Sequence, residues 1–217
     1  MSVVAFILQK YDIFAYMELL SFPNPPASFE MAVVRYVEGY LESIKQYFPE
    51  RNLMGFSEKR MEEHIGVVYA ISHLLSHENW HLEHGGDGAP ELFENAKRSK
   101  FSISISHCSS AQDETLVAVC ISETTRKIGV DIVLMGDERI RRVAPRTMSE
   151  RERVGGQLEK VWAVKESMFK AFGLGLDFKN DLAVVFDETE VCGTVRGEKS
   201  RWWVEEIGGV IVALGPT

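Results

Sequence analysis

Two periods of apolar residues divide the chain. In the first half they recur at threes and fours. Met31, Val34, Val37, Leu41, Ile44 and Phe48 predict a helix over about 28–48. Met61, Ile65, Val68, Ser72 and Leu75 predict a second helix, opened by Ser57 as its N-cap. Val3–Leu8 reads as a strand, Pro23, Pro25 and Pro26 as a loop, and Gly85 to Pro90 (GGDGAP) as a break. From Phe101 the period shortens to two. In FSISIS the residues Phe101, Ile103 and Ile105 face one way and Ser102, Ser104 and Ser106 the other, as in a half-buried strand. Leu116–Ile121 and Lys127–Val133 read as two more strands. Ser149 and Glu152 have capping-box spacing. A helix follows over about 157–172, with Leu158, Val161, Trp162, Met168, Phe169 and Phe172 on its apolar side and Gly173 as its stop. Leu182–Phe186, Arg201–Glu205 and Val210–Leu214 complete the strands. Helices first and then strands around one long helix predict an α+β fold.

Composition narrows the function classes. The 217 residues, 45% hydrophobic and 26% charged, suit one domain or two small halves sharing a core. No apolar run reaches the length of a membrane span, so no membrane association is expected. Net charge is -8, which argues against nucleic acid as a partner. Cys108, Cys120 and Cys192 show no metal spacing and are read as reduced thiols of a cytoplasmic protein. The charge is uneven, however. Between Arg139 and Arg153 six arginines face only Glu150 and Glu152. Such a basic patch on an acidic chain suits an acidic partner.

Three polar placements carry chemistry. Asp131 sits inside the apolar strand IGVDIV, where a charge is costly unless paired or bound to a metal. His107, preceded by Ser106, ends the alternating strand. Glu166 and Lys170 lie four apart on the long helix, on one face, with Trp162 one turn earlier. Each alone has an ordinary reading: a solvated strand residue, a strand-end histidine, a surface ion pair.

In combination they are specific. SISHC, IGVDIV and WAVKESMFKAFGLGL resemble, in order, the motifs of the 4′-phosphopantetheinyl transferases. W-x-x-K-E-[SA]-x-x-K-x-x-G fits Trp162, Lys165, Glu166, Ser167, Lys170 and Gly173, and RWWVEEIGGVIVALG is similar to that family's closing hairpin. The resemblance covers roughly 100–217. It implies a pseudo-dimer of two α/β halves, each a small antiparallel sheet packed with helices, divided as 1–113 and 114–217, with coenzyme A between them. It implies a monomeric enzyme that transfers the phosphopantetheine arm of coenzyme A, its co-substrate, to a serine of an acyl or peptidyl carrier protein, releasing 3′,5′-ADP. Magnesium, or manganese, would be held by Asp131 and Glu166. Glu166 would accept the serine proton. Lys170 and His107 would sit on the diphosphate, with Ser106 and Lys165 as further cofactor-binding residues. Arg139, Arg141, Arg142 and Arg146 would dock the carrier protein.

The motifs also depart from the family. The longer, monomeric members often carry a second acid two residues after the Asp; here it is Val133, as in the short holo-acyl-carrier-protein synthases. The G-[KR]-P turn of the longer type has Ala89 here, and its nucleotide-binding arginine is matched only nearby, by Arg60. A degenerate member that binds coenzyme A or a carrier protein without transfer is the alternative these departures motivate. A remote alternative lies in His77 to His81, HENWH, which fits the H-E-x-x-H of zinc peptidases if it is helical. Its third ligand is weak, His84 or Asp87. A fortuitous metal site of His73, His77, His81 and His84 is the more that stretch would give.

Overall fold

The computed structural model describes residues 17–36, 57–75, 79–109, 114–124, 127–188 and 190–217. Two antiparallel sheets form its centre. The first holds β1 (Met17–Leu20), β2 (Glu30–Tyr36), β6 (Ser102–Ser109) and β7 (Thr115–Ser122), in the order β1-β2-β7-β6. The second holds β8 (Gly129–Leu134), β9 (Leu182–Phe186), β10 (Val191–Val195), β11 (Glu198–Ile207) and β12 (Val210–Gly215), in the order β8-β12-β11-β10-β9. A small third sheet, β3 (Trp80–His84), β4 (Pro90–Glu94) and β5 (Lys97–Arg98), lies beside them. The helices are α1 (Glu58–Leu74), α2 (Glu138–Thr147), α3 (Glu150–Val154) and α4 (Leu158–Phe172). The fold is α+β.

Burial explains the sequence pattern. α1 lays Met61, Ile65, Val68 and Ile71 on one face of the first sheet, against Val34, Val117 and Val119. The opposite face, with Val33, Leu116, Ala118 and Cys120, meets Val130, Ile132, Val212 and Leu214 of the second sheet. α4 covers the far side of that sheet, packing Val161, Val164 and Met168 on Val184, Ile211 and Ala213. The layers therefore run α1, first sheet, second sheet, α4. A strand covered on both faces reads as a continuous apolar run, and β7 is buried along its whole length.

The same cause corrects the helix expected over 28–48. Residues 30–36 form β2, an inner strand between β1 and β7 whose Ala32, Val33 and Val34 are buried on alternate faces. Its double-sided burial mimicked a helical period. The rest of that stretch, 37–48, and the strand expected at Val3–Leu8 lie outside the described residues. A division at 113/114 passes between β6 and β7, which are neighbours in one sheet; the passage to the second sheet follows Ser122. α2, α3 and β10 fall where the sequence showed only a capping box and loops. The capping box is present: Glu152 N–H donates to Ser149 Oγ at 3.3 Å and Ser149 N–H to Glu152 Oε2 at 2.7 Å.

The H-E-x-x-H reading also fails. His81 and His84 lie on β3, antiparallel to β4, not on a helix. A strand cannot present His81 to a partner four residues earlier on one helical face. His81 is instead bonded to Glu83 Oε1 at 3.1 Å and stacked on Phe93. His77 and Glu78 lie outside the described residues. GGDGAP makes the turn from β3 to β4, closed by Gly85 N–H to Ala89 O at 2.9 Å.

Candidate active site

The two sheets meet along β6 and β8, and hydroxyls make the seam. β8 donates Val130 N–H to Ser104 Oγ at 3.0 Å and Ile132 N–H to Ser106 Oγ at 3.3 Å. The two strands thus run parallel in a zipper of serines between two separate ladders. The alternation of FSISIS has this physical meaning. Ile103 and Ile105 pack toward α1, while Ser104 and Ser106 are buried in the seam rather than facing water.

On the other side of β8 a glycine sets the approach of α4. A Cβ on Gly129 would lie 1.8 Å from the Ser167 carbonyl oxygen, so only glycine admits the helix this close. Two residues on, Asp131 faces the same helix. Lys170 Nζ donates to Asp131 Oδ1 at 2.7 Å and to Val130 O at 2.9 Å. Ser106 Oγ donates to the same Oδ1 at 2.7 Å. The Asp131 side chain is only 8% exposed, and these partners offset the cost of burying it.

A cleft of about 530 Å³ opens over this cluster. Ser106, His107, Asp131, Glu166 and Lys170 all line it, together with Trp162 and Arg139. The first half contributes Lys59 and Glu63 from α1. Burial, then the charge of Asp131, push the Glu166 carboxyl up to about 7, against the opposing effect of Lys170. Burial lowers the His107 imidazole from its ordinary value; Glu63 and Asp131 oppose this, and Lys170 and Lys59 add to it. Cys108, also on the wall, is pushed up to about 12, chiefly by burial, so its thiol is inert at neutral pH.

Lys165 stands apart from the other expected residues. Its side chain is 0% exposed. Nζ donates to Thr147 O at 2.9 Å, Glu152 Oε2 at 2.9 Å and Phe178 O at 2.7 Å. Three acceptors use all three of its protons, so none is left for a phosphate. Burial lowers its pKa and Glu152 opposes that shift. Lys165 is a fastener between α2, α3 and the loop after α4. Ser106 is committed too: its oxygen serves Asp131 and β8, making it a support of the carboxylate more than a contact for a cofactor.

The arginines of α2 divide. Ile140 and Ala144 face the core. Arg139 lines the cleft and is held by Asp137, the N-cap, through Nε–Oδ1 at 2.9 Å and Nη2–Oδ2 at 2.7 Å. Helical spacing puts Arg142 and Arg146 on the Arg139 side. Arg141 falls on the opposite flank, where it pairs with Glu138 at 3.4 Å.

Among the described residues no three His, Cys, Asp or Glu side chains converge as a metal cage. Four acids line the cleft; Glu63 is engaged by His107 and Asp137 by Arg139, while Asp131 and Glu166 are near enough that the charge of one acts on the other. Val133, on the Asp131 face of β8, is buried apolar wall and adds no third to this pair. A pair of carboxylates, one of them driven toward protonation by burial and then by the charge of the other, fits a hard cation. Magnesium commonly takes one or two protein carboxylates and completes its shell with phosphate oxygens and water. A second cleft of about 500 Å³ lies on the other side of Lys170, with Arg98, Lys100, Pro90 and Phe172 on its walls.

Glu63 and Lys59 were not identified from sequence. They are an i, i+4 pair on a helix, and nothing in their spacing separates them from a surface ion pair. No helix among the described residues is long and apolar enough to cross a membrane. In comparison with known proteins, residues 127–211 match the family model of the 4′-phosphopantetheinyl transferase superfamily. No curated protein matches the chain.

Proposed function

We propose that this chain, which carries a 4′-phosphopantetheinyl transferase superfamily domain at residues 127–211, moves the phosphopantetheine arm of coenzyme A to a serine hydroxyl of an apo acyl or peptidyl carrier protein. The observation that carries the reading is the cleft itself. Asp131, Glu166, Lys170 and His107 come from β8, α4 and β6, far apart in sequence, and converge on one wall.

The serine oxygen attacks the phosphorus that bears the pantetheine arm, and the bridging bond of the diphosphate breaks. The products are the phosphopantetheinyl serine and 3′,5′-ADP. Glu166, held near neutrality, accepts the serine proton directly or through a water. Lys170 offsets the charge on the phosphate oxygens, and His107 donates to them when its Nε2 carries a proton. Asp131 and Glu166 would hold magnesium, which supplies a further positive charge to the diphosphate when bound. Trp162 stacks on Phe178, with ring centroids 5.7 Å apart, and walls the cleft against water.

Coenzyme A is long, and two clefts adjoin at Lys170, which lines both. Arg98 and Lys100 line the second, paired with Glu91 at 2.8 Å and Glu123 at 3.0 Å, and would have to exchange those carboxylates for phosphate to stand in for the basic residue that the Ala89 turn lacks. Each central sheet carries its own helix, which supports the pseudo-dimer reading, and one chain holds all four reacting groups, as a monomeric enzyme requires. Calorimetry with coenzyme A and magnesium tests the reading. Wild type should bind, and Lys170→Ala should lose most of the affinity; no binding by wild type would refute the reading.

A further inference from the structure

His107 stands on the cleft wall with its side chain 48% exposed. Its ring is gripped from outside the residues that match the family model. Nδ1 lies 3.0 Å from Oε1 of Glu63 on α1. A carboxylate accepts only, so the Nδ1 atom carries the proton whether the ring is neutral or charged. The Glu63 side chain is only 15% exposed, and its helix is fixed at both relevant points. Ser57 caps the start of α1. Gly66, near Glu63, sits so close to β7 that a Cβ there would approach Val117 Cγ2 to 2.7 Å.

We infer that Glu63 is the positioning residue of His107: it fixes the Nδ1–H tautomer and leaves Nε2 as the nitrogen that serves the cleft. The charged groups around the ring are Glu63 and Lys59 on α1, Asp131 on β8 and Lys170 on α4. Two of the four are cations, and the ring lies among them. Without a carboxylate partner a neutral imidazole would be free to turn or to move its proton to Nε2. With the partner, Nε2 alone offers a lone pair or, once protonated, a donor aimed at an anion. The link ties α1, in the first layer, to the chemistry of β8 and α4 in the last two. The consequence for coenzyme A rests on the proposed function; the tautomer does not.

The test is long-range proton–nitrogen correlation on 15N-histidine-labelled protein, at a pH well above the imidazole range. Wild type should show His107 protonated at Nδ1. Glu63→Ala should move the ring toward the Nε2–H form. Glu63→Gln, whose amide oxygen still accepts, should keep the wild-type tautomer. A wild-type ring protonated mainly at Nε2, or a tautomer unmoved in Glu63→Ala, overturns the inference. In the transfer assay Glu63→Ala should lower kcat/KM for coenzyme A about tenfold, the scale of one hydrogen bond to a charged group. KM for the carrier protein should stay unchanged, and Glu63→Gln should recover part of the loss. An equal loss for both substrates would count against positioning. Absence of any transfer by wild type would refute the proposed function, while the nitrogen spectra would still decide the tautomer.

Discussion

Replacing Lys165 by methionine removes one ammonium group and leaves its three acceptors unmatched. Thr147 O and Phe178 O lose their donor. Glu152, whose side chain is 4% exposed, keeps a buried charge without its cation. Its remaining partners are Ser149 N–H at 2.7 Å, Ser149 Oγ at 3.0 Å and Val184 N–H at 2.9 Å. They moderate the penalty but do not neutralise the carboxylate. Breaking one side of a buried pair costs about 3–5 kcal/mol. In a domain of this size each kcal/mol moves Tm by about 2–4 °C, so Tm should fall on the order of 10 °C. Thermal and urea unfolding of wild type, Lys165→Met, Glu152→Gln and the double variant make the assay. The two positions should couple by at least about 1 kcal/mol. A loss below about 1 kcal/mol, or strict additivity, would refute the fastening role and return Lys165 to the phosphate site.

Gly129→Ala should cost about 3 kcal/mol or more, since its Cβ meets backbone at 1.8 Å and one element must shift; unchanged stability in denaturant unfolding would contradict the close approach. Glu166 has its pKa raised to about 7, so the folded state binds its proton more tightly than the unfolded chain does. Without metal, its contribution is therefore present below about 4.3 and lost as pH rises through about 7. Glu166→Gln should accordingly gain stability relative to wild type across that window, and parallel pH–stability curves would argue against the shift. Arg139→Glu with Arg142→Glu should raise KM for an acidic carrier protein and flatten its salt dependence, because exposed charges are screened over about 8 Å at physiological ionic strength. Arg141→Glu, on the other flank, should change KM far less; equal effects would remove the directional reading of α2.

The strands of the second half, β10 apart, were legible because they obey simple rules. FSISIS alternates, and the turn between β11 and β12 is marked by Gly208 and Gly209. The candidate site was legible for a different reason: Asp131, Glu166 and Lys170 break the apolar pattern of elements that are otherwise buried. β2 was not legible, since burial on both faces erases the period that distinguishes strand from helix. Nor was the role of Lys165. Its neighbours in sequence place it on the helix beside Glu166, but its partners Thr147, Glu152 and Phe178 are 18, 13 and 13 residues away. The serine seam belongs to the same class. Ser104 and Ser106 read as the wet face of a strand until β8 is laid against them. Glu63 shows the limit most clearly, because its meaning depends wholly on a histidine that the fold brings from another layer.

The central claim is transfer, and intact-protein mass spectrometry of carrier proteins reads it directly. Wild-type protein with coenzyme A, magnesium and a panel of apo acyl and peptidyl carrier proteins should add one phosphopantetheine arm to the active serine of at least one carrier. Asp131→Ala and Glu166→Gln, each folded by circular dichroism, should be slower by on the order of 10²-fold or more. Carriers that keep their apo mass with wild type, or near-normal transfer by both variants, would contradict the account.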